Sequence, residues 1–226
     1  MRRRLRFCLR GIAAAAVALA AAGVVGCYGD KTSTMPAGLE PVGKNPAEYP
    51  PAEGTDQYPE KYGTMLSGKT DTYSWAGLKG YIHAPIEAVW AALQDPDTVA
   101  DRRKVDKYVA TLNVETGYDV SFRLANTVYD IITVEFEVTW RQSHIDGTLE
   151  APLAVAANYQ KTWGSSVMEL LAGSVALKKI DDNTTAFECL EYIAAIMSAD
   201  ESVQSYQPDL YNSVKAKAHG DPLPTY

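Results

Sequence analysis

The chain has 226 residues, 46% of them hydrophobic and 22% charged, with Lys+Arg 21 against Asp+Glu 28 and a net charge of −7. This acidity excludes the basic face that a nucleic-acid partner requires. It also excludes docking on anionic lipid by charge.

Arg2, Arg3, Arg4, Arg6 and Arg10 form a cationic head, followed by an alanine-rich apolar run over 11–25 and then Val24-Val25-Gly26-Cys27. A positive head, a short apolar core and a small residue at the cut are the marks of a secretory signal peptide. The core is too short and too weakly apolar for a membrane-spanning helix. The four residues ending in Cys27 resemble the bacterial lipoprotein box. That resemblance implies cleavage after Gly26, a diacylglyceryl group on the Cys27 thiol and acylation of the new amino terminus. Tyr28 follows, where lipoproteins kept on the inner membrane often carry Asp, so the resemblance implies the outer membrane. The alternative is ordinary secretion, with a cut after Ala20-Ala21-Ala22. A triacylated cysteine anchors a protein without a spanning helix, because stable anchoring takes about two chains.

Removing residues 1–26 takes five of the 21 Lys+Arg and none of the 28 Asp+Glu, which leaves the mature chain at −12. Cys8 leaves with this leader and Cys27 is lipidated. Cys189 then has no partner for an internal disulfide, and the core alone must stabilise the domain.

Residues 27–70 read as a tether. Met35-Pro36, Glu40-Pro41, Tyr49-Pro50-Pro51 and Tyr58-Pro59 recur without helical or alternating apolar pattern. Such a segment is expected to be extended, partly polyproline-like linker. The repeated Tyr-Pro pairs have a second reading, a recognition strip for a partner.

Residues 71–220 carry regular patterns over one ordinary domain's length, with 221–226 as a short tail. Tyr73 to Ala84 reads as a strand. Pro85 suits the first helical position, and Ile86, Val89, Trp90 and Leu93 form one apolar stripe. Asp95-Pro96 caps a second short helix ending near Arg103. The period then switches to two: Tyr108 to Val114, Val120 to Leu124, and Ile132 to Trp140, where Val134, Phe136 and Val138 alternate with Glu135, Glu137 and Thr139. A turn is expected at His144 to Gly147, followed by strands over Leu149 to Trp163, Met168 to Lys179 and Thr185 to Ile193. Ser198 and Glu201 make a capping box for a last helix. Val203, Tyr206, Leu210 and Val214 line one of its faces. Pro208 is expected to kink or split that helix. Clean alternation without intervening helices implies an antiparallel sheet with one buried face. The expected class is α+β: a curved sheet of about seven strands with two short helices and a long C-terminal helix laid against it.

The run Gly80-Tyr-Ile-His-Ala-Pro-Ile-Glu-Ala-Val-Trp-Ala-Ala-Leu-Gln-Asp-Pro-Asp97 resembles the opening of the START and birch-allergen superfamily, which includes polyketide cyclases. The resemblance implies the helix-grip fold and a cavity between sheet and C-terminal helix that takes lipids, sterols, polyketides or other apolar molecules. This chain departs from the pattern at Arg102-Arg103, where many relatives carry an aromatic, and at Pro208.

A guest in such a cavity would touch Phe136, Val138 and Trp140 on the longest strand. Tyr159 and Tyr192 would add hydroxyls, and Leu210 and Tyr211 would come from the helix. Pockets of this kind are mostly apolar with a few placed polar groups. The same residues would equally make a filled core. Glu191 alternates with Phe187, Cys189 and Ile193; facing inward, its pKa would rise and suit it to hold an amine or a hydroxyl. Glu191 and Tyr192 cannot both face inward. Glu135 and Glu137 lie on the polar face. His83, His144 and His219 have no metal-ligand spacing, and no Gly-x-Ser-x-Gly elbow, P-loop or dinucleotide fingerprint occurs. No catalytic residue, metal or cofactor is expected. The partners expected are an apolar small molecule and, through acyl chains, a membrane. An enzyme on the same fold and an envelope interaction module are the alternatives.

Overall fold

The computed structural model describes residues 39–129, 132–196 and 199–226. The expected signal peptide, the expected lipid-attachment residue Cys27 and the expected Ser198 cap lie outside the described residues. Eight antiparallel strands form one sheet in the order β1-β2-β8-β7-β6-β5-β4-β3. They are β1 (Leu66–Lys69), β2 (Ser74–Ile82), β3 (Lys107–Leu112), β4 (Val120–Tyr129), β5 (Thr133–Gly147), β6 (Pro152–Gly164), β7 (Met168–Asp181) and β8 (Thr184–Ala195). Helices α1 (Ile86–Leu93) and α2 (Pro96–Val99) connect β2 to β3, and α3 (Ala199–His219) closes the chain. This is the helix-grip order expected above, with one further strand at the edge.

The local causes are visible in the sequence. Ile86, Val89, Trp90 and Leu93 are buried on α1. The Trp90 indole donates to Gln142 Oε1 at 2.9 Å and Gln142 Nε2 donates to the Leu93 carbonyl at 2.8 Å, which seats α1 on β5. Asp95 caps α2 by accepting from the Asp97 amide at 2.9 Å. A bulge between Glu137 and Val138 breaks the β5–β6 register, and such bulges bend and twist a sheet. α3 packs on β2 and β8, and residues of β4 to β7 face its first half across a cavity.

Three expectations are corrected. β5 continues through His144 to Gly147; the chain reverses instead at Thr148–Ala151, whose backbones exchange two hydrogen bonds of 3.2 Å. Pro208 does not split the last helix: α3 runs as one element from Ala199 to His219 with Pro208 inside it. The third concerns the tether, which the structure packs against the sheet from residue 39 onward. Its first part crosses the outer face at right angles to the strands, along the register row Asn158–Ser174–Leu190–Gly77. Asn158 Nδ2 donates to the Glu40 carbonyl at 2.8 Å, and the Val42 amide donates to Ser174 Oγ at 3.3 Å. Asn45 Nδ2 donates to the Leu78 and Cys189 carbonyls at 3.1 and 2.9 Å. Tyr49 then stacks on Tyr81 with centroids 4.9 Å apart. Beyond it, Gly63 donates to the Lys79 carbonyl at 2.8 Å and β1 pairs with β2, covering that edge. An extended strap satisfies its backbone on polar side chains of the sheet, so it needs no apolar period of its own. The linker reading missed it for that reason.

Candidate functional site

A cavity of about 270 Å³ lies between the inner face of the sheet and the first half of α3. Its walls are mostly apolar: Leu124, Val134, Phe136, Val138, Trp140 and Leu171 face it, together with Tyr159 and Tyr206. Around the mouth stand Val105, Ile132 and Met168, with Ile132 56% exposed. At the deep end Trp140, Tyr159 and Glu191 are each only 1% exposed. This gradient makes the site a blind pouch, wet at one end and sealed at the other.

The floor is one register row crossing the sheet. Phe122 pairs with Trp140, Trp140 with Tyr159, Tyr159 with Gly173, and Gly173 with Glu191. Side chains in a row share a face, so their rings stack: Trp140 and Tyr159 centroids are 4.2 Å apart at 20°, and Phe122 lies 6.0 Å from Trp140. Gly173 leaves a gap in the row. The Tyr159 ring lies across that gap, and a Cβ on Gly173 would stand 2.2 Å from Tyr159 Cζ. The ring thereby reaches two strands over, and its hydroxyl donates to Glu191 Oε2 at 2.6 Å.

Glu191 is the polar centre of this floor. Burial raises its pKa, and the negative charge of Asp101 raises it further against the Tyr159 hydrogen bond, so the carboxyl is pushed up to about 8. Its Oε1 is buried without a hydrogen-bond partner. Gln207 Nε2 approaches the Tyr159 hydroxyl at 3.4 Å, and Tyr206 donates to the Val99 carbonyl at 2.8 Å. Burial also pushes the Tyr159, Tyr206 and Cys189 groups well up, so they stay neutral. The second acid of the cavity is half-buried Asp101, whose pKa burial raises while its Oδ1 accepts from the Arg103 and Lys104 amides at 3.1 and 3.2 Å. Chemically, this floor can accept a hydrogen bond, hold a positive charge, or exchange a proton near neutral pH.

Of the residues expected to line a pocket, Phe136, Val138, Trp140, Tyr159 and Glu191 do so. Tyr192 does not: strand alternation turns it to the outer face, where its ring lies 5.0 Å from Tyr73 and its hydroxyl sits against Gly43 of the strap. The conflict between Glu191 and Tyr192 is thus resolved in favour of the acid. Leu210 and Tyr211 also fall outside the cavity. They lie on the second half of α3, where the helix has come down onto α1 and β2. There Tyr211 packs against Phe187 and Tyr62 and donates to the Tyr81 carbonyl at 2.6 Å.

Sequence reasoning missed Asp101 and gave Tyr206 only a packing role. The i to i+4 spacing of Tyr206 and Leu210 was the available signal for the former's face. Nothing local distinguishes Asp101. Arg102 and Arg103, where the chain departs from the resembled pattern, make their contacts elsewhere: Arg102 donates to the Pro224 carbonyl at 2.7 Å and to Ser213 Oγ at 3.0 Å, and Arg103 pairs with Asp209 at 2.8 Å. Among the described residues no group of three His, Cys, Asp or Glu is disposed to hold a metal, and no helix is long and apolar enough to cross a membrane.

No protein-family model matches the sequence, and no curated protein matches it. Solved structures similar in fold include the Zhui aromatase/cyclase from Streptomyces sp. R1128, at 12% identity and a TM-score of 0.46, covering 69% of this chain and 94% of that one. A protein from Thermus thermophilus, TTHA0849, is similar at 11% identity and a TM-score of 0.45, covering 65% and 97%. The lipid transfer and protein localization domain of human StarD13 (DLC2) is similar at 9% identity and a TM-score of 0.42, covering 70% and 88%. At these values the likeness is one of chain path, and no residue role passes from those proteins to this one.

Proposed function

We propose that this protein is an exported lipoprotein whose helix-grip domain holds one small apolar molecule beneath the first half of α3. The observation that carries the binding half is the cavity itself, about 270 Å³ of space lined by Leu124, Phe136, Val138, Trp140 and Leu171. That volume is near the lower end of ordinary ligand pockets, so the guest is a single chain or a small ring system, not a two-chain phospholipid. Protein purified from its native envelope is expected to release such a molecule on solvent extraction, detected by mass spectrometry. Refilling the emptied domain is expected to raise its melting temperature, since ligand at 100 times its Kd adds about 2.7 kcal/mol. An empty extract together with no stabilisation by any single-chain lipid, sterol or polyketide removes the carrier function.

The anchoring half rests on residues 1–27: the arginine head, the alanine-rich core and the Val24–Cys27 box. The acyl chains hold the domain in the periplasm, on the outer membrane. The strap shortens the leash, because from Cys27 to Leu39 a fully extended chain reaches only about 40 Å. Cys27→Ser is expected to move the protein from the membrane to the soluble periplasmic fraction and to abolish the acyl mass on its N-terminal peptide. Retention in the membrane by the variant overturns the anchor and leaves the cavity reading standing.

A further inference from the structure

We propose that the guest is an amphiphilic amine, an apolar body carrying one ammonium that docks against Glu191 at the sealed end. This rests on the cavity reading above and names the chemistry of its occupant. Three observations converge on it.

The first is an unmet acceptor. Glu191 is 1% exposed and lines the cavity; Tyr159 occupies its Oε2 at 2.6 Å, while Oε1 has no hydrogen-bond partner. A buried acceptor left so costs free energy that a donor on the guest would recover. The second is the sign of the field. Asp101 and Glu191 share this one cavity, and each unit of negative charge on the former disfavours ionisation of the latter. A cation placed between them relieves that repulsion, whereas a carboxylate guest would add to it.

The third is the fate of the nearby cations. Lys104 lines the cavity but its ammonium pairs with Glu201 at 2.8 Å. Lys161 directs its ammonium to the Ser165 and Met168 carbonyls at 2.9 and 2.8 Å. The remaining polar groups packed around Glu191 are uncharged: Tyr159 on β6, Cys189 on its own strand, and Tyr206 and Gln207 on α3. An ammonium brings both the donors and the charge that this wall lacks. An alcohol brings only a donor.

The protonation behaviour follows. Empty, Glu191 holds its proton up to about pH 8; an alkylamine resembles lysine and stays charged to about pH 10. Binding an ammonium therefore expels the carboxyl proton at neutral pH, and affinity should strengthen about tenfold per pH unit between 6 and 8 before levelling.

The test uses the full mature protein and three probes of equal length: decylamine, decan-1-ol and decanoate. Isothermal titration at pH 7, in buffers of different ionisation enthalpy, is expected to show decylamine binding at least tenfold tighter than decanol, with close to one proton released for the amine and none for the alcohol. Glu191→Gln should weaken decylamine at least tenfold and leave decanol within threefold. Should the variant fold poorly, the pH profile of the unmodified protein decides the same question. Decanol equal to decylamine, or a flat pH profile for the amine, overturns the amine assignment while leaving an apolar carrier. Failure of all three probes to bind or to raise the melting temperature overturns the assignment and the cavity reading together.

Discussion

Gly173→Ala is expected to destabilise the domain by about 4 kcal/mol, although alanine in a strand normally stabilises relative to glycine by about 0.5–1 kcal/mol. The reversal comes from the neighbouring strand. The new methyl would stand 2.2 Å from Tyr159 Cζ, with the hydroxyl at 2.3 Å. The contact is with a ring stacked at 4.2 Å on Trp140, so the ring cannot slide along the row. Overpacking of this kind costs about 1–3 kcal/mol. Relief requires the ring to lift into the cavity, which breaks its bond to Glu191 and leaves a buried carboxyl without its donor, a further cost of about 1–3 kcal/mol. For a domain of this size the melting temperature should fall by roughly 8–16 °C. In a Tyr159→Leu background the same substitution should cost less than about 1 kcal/mol. A melting temperature within a degree of the parent would mean that the ring does not cross β7.

Glu191→Gln has the second large effect, and its sign depends on pH. The folded carboxyl titrates near 8 against 4.5 for the free group. Between those values the native state binds one more proton than the unfolded state. Stability is therefore greatest below about pH 4.5 on this group's account, and declines as pH rises toward 8 with a slope approaching about 1.4 kcal/mol per unit. Above pH 8 the full penalty of an ionised carboxyl in an apolar wall is present, on the order of 5 kcal/mol. Glutamine keeps the size and cannot ionise. The variant should thus be more stable than the parent at pH 8.5, and the difference should shrink steadily toward pH 5, as read by urea unfolding at each pH. A constant difference across that range would show that Glu191 titrates like an exposed acid.

Much of this site was legible in the amino-acid order, because alternation along a strand obliges side chains to face opposite ways. Phe136, Val138 and Trp140 declared their shared face through the polar Glu135, Glu137 and Thr139 between them. The same rule set Glu191 against Tyr192 without saying which pointed in. Choosing between them took the register across β6, β7 and β8, which brings Tyr159, Gly173 and Glu191 into line from positions far apart in the chain. The helix shows the limit of the pattern from the other side. Tyr206 and Leu210 occupy one stripe, yet only Tyr206 meets the cavity, since the descent of α3 onto α1 closes the space one turn later.

The order of elements from β2 onward, the shared face of Phe136, Val138 and Trp140 and the cap of α2 follow from local periodicity and turn chemistry, which depend on near neighbours alone. The hollow, the acid facing into it and the strap from Leu39 do not. Each depends on surfaces that meet only after the sheet has curved: inner side chains that stop short of α3, and outer asparagine and serine side chains that wait for an extended chain to cross them. Propensity and period describe one segment at a time, and a cavity is a relation among several.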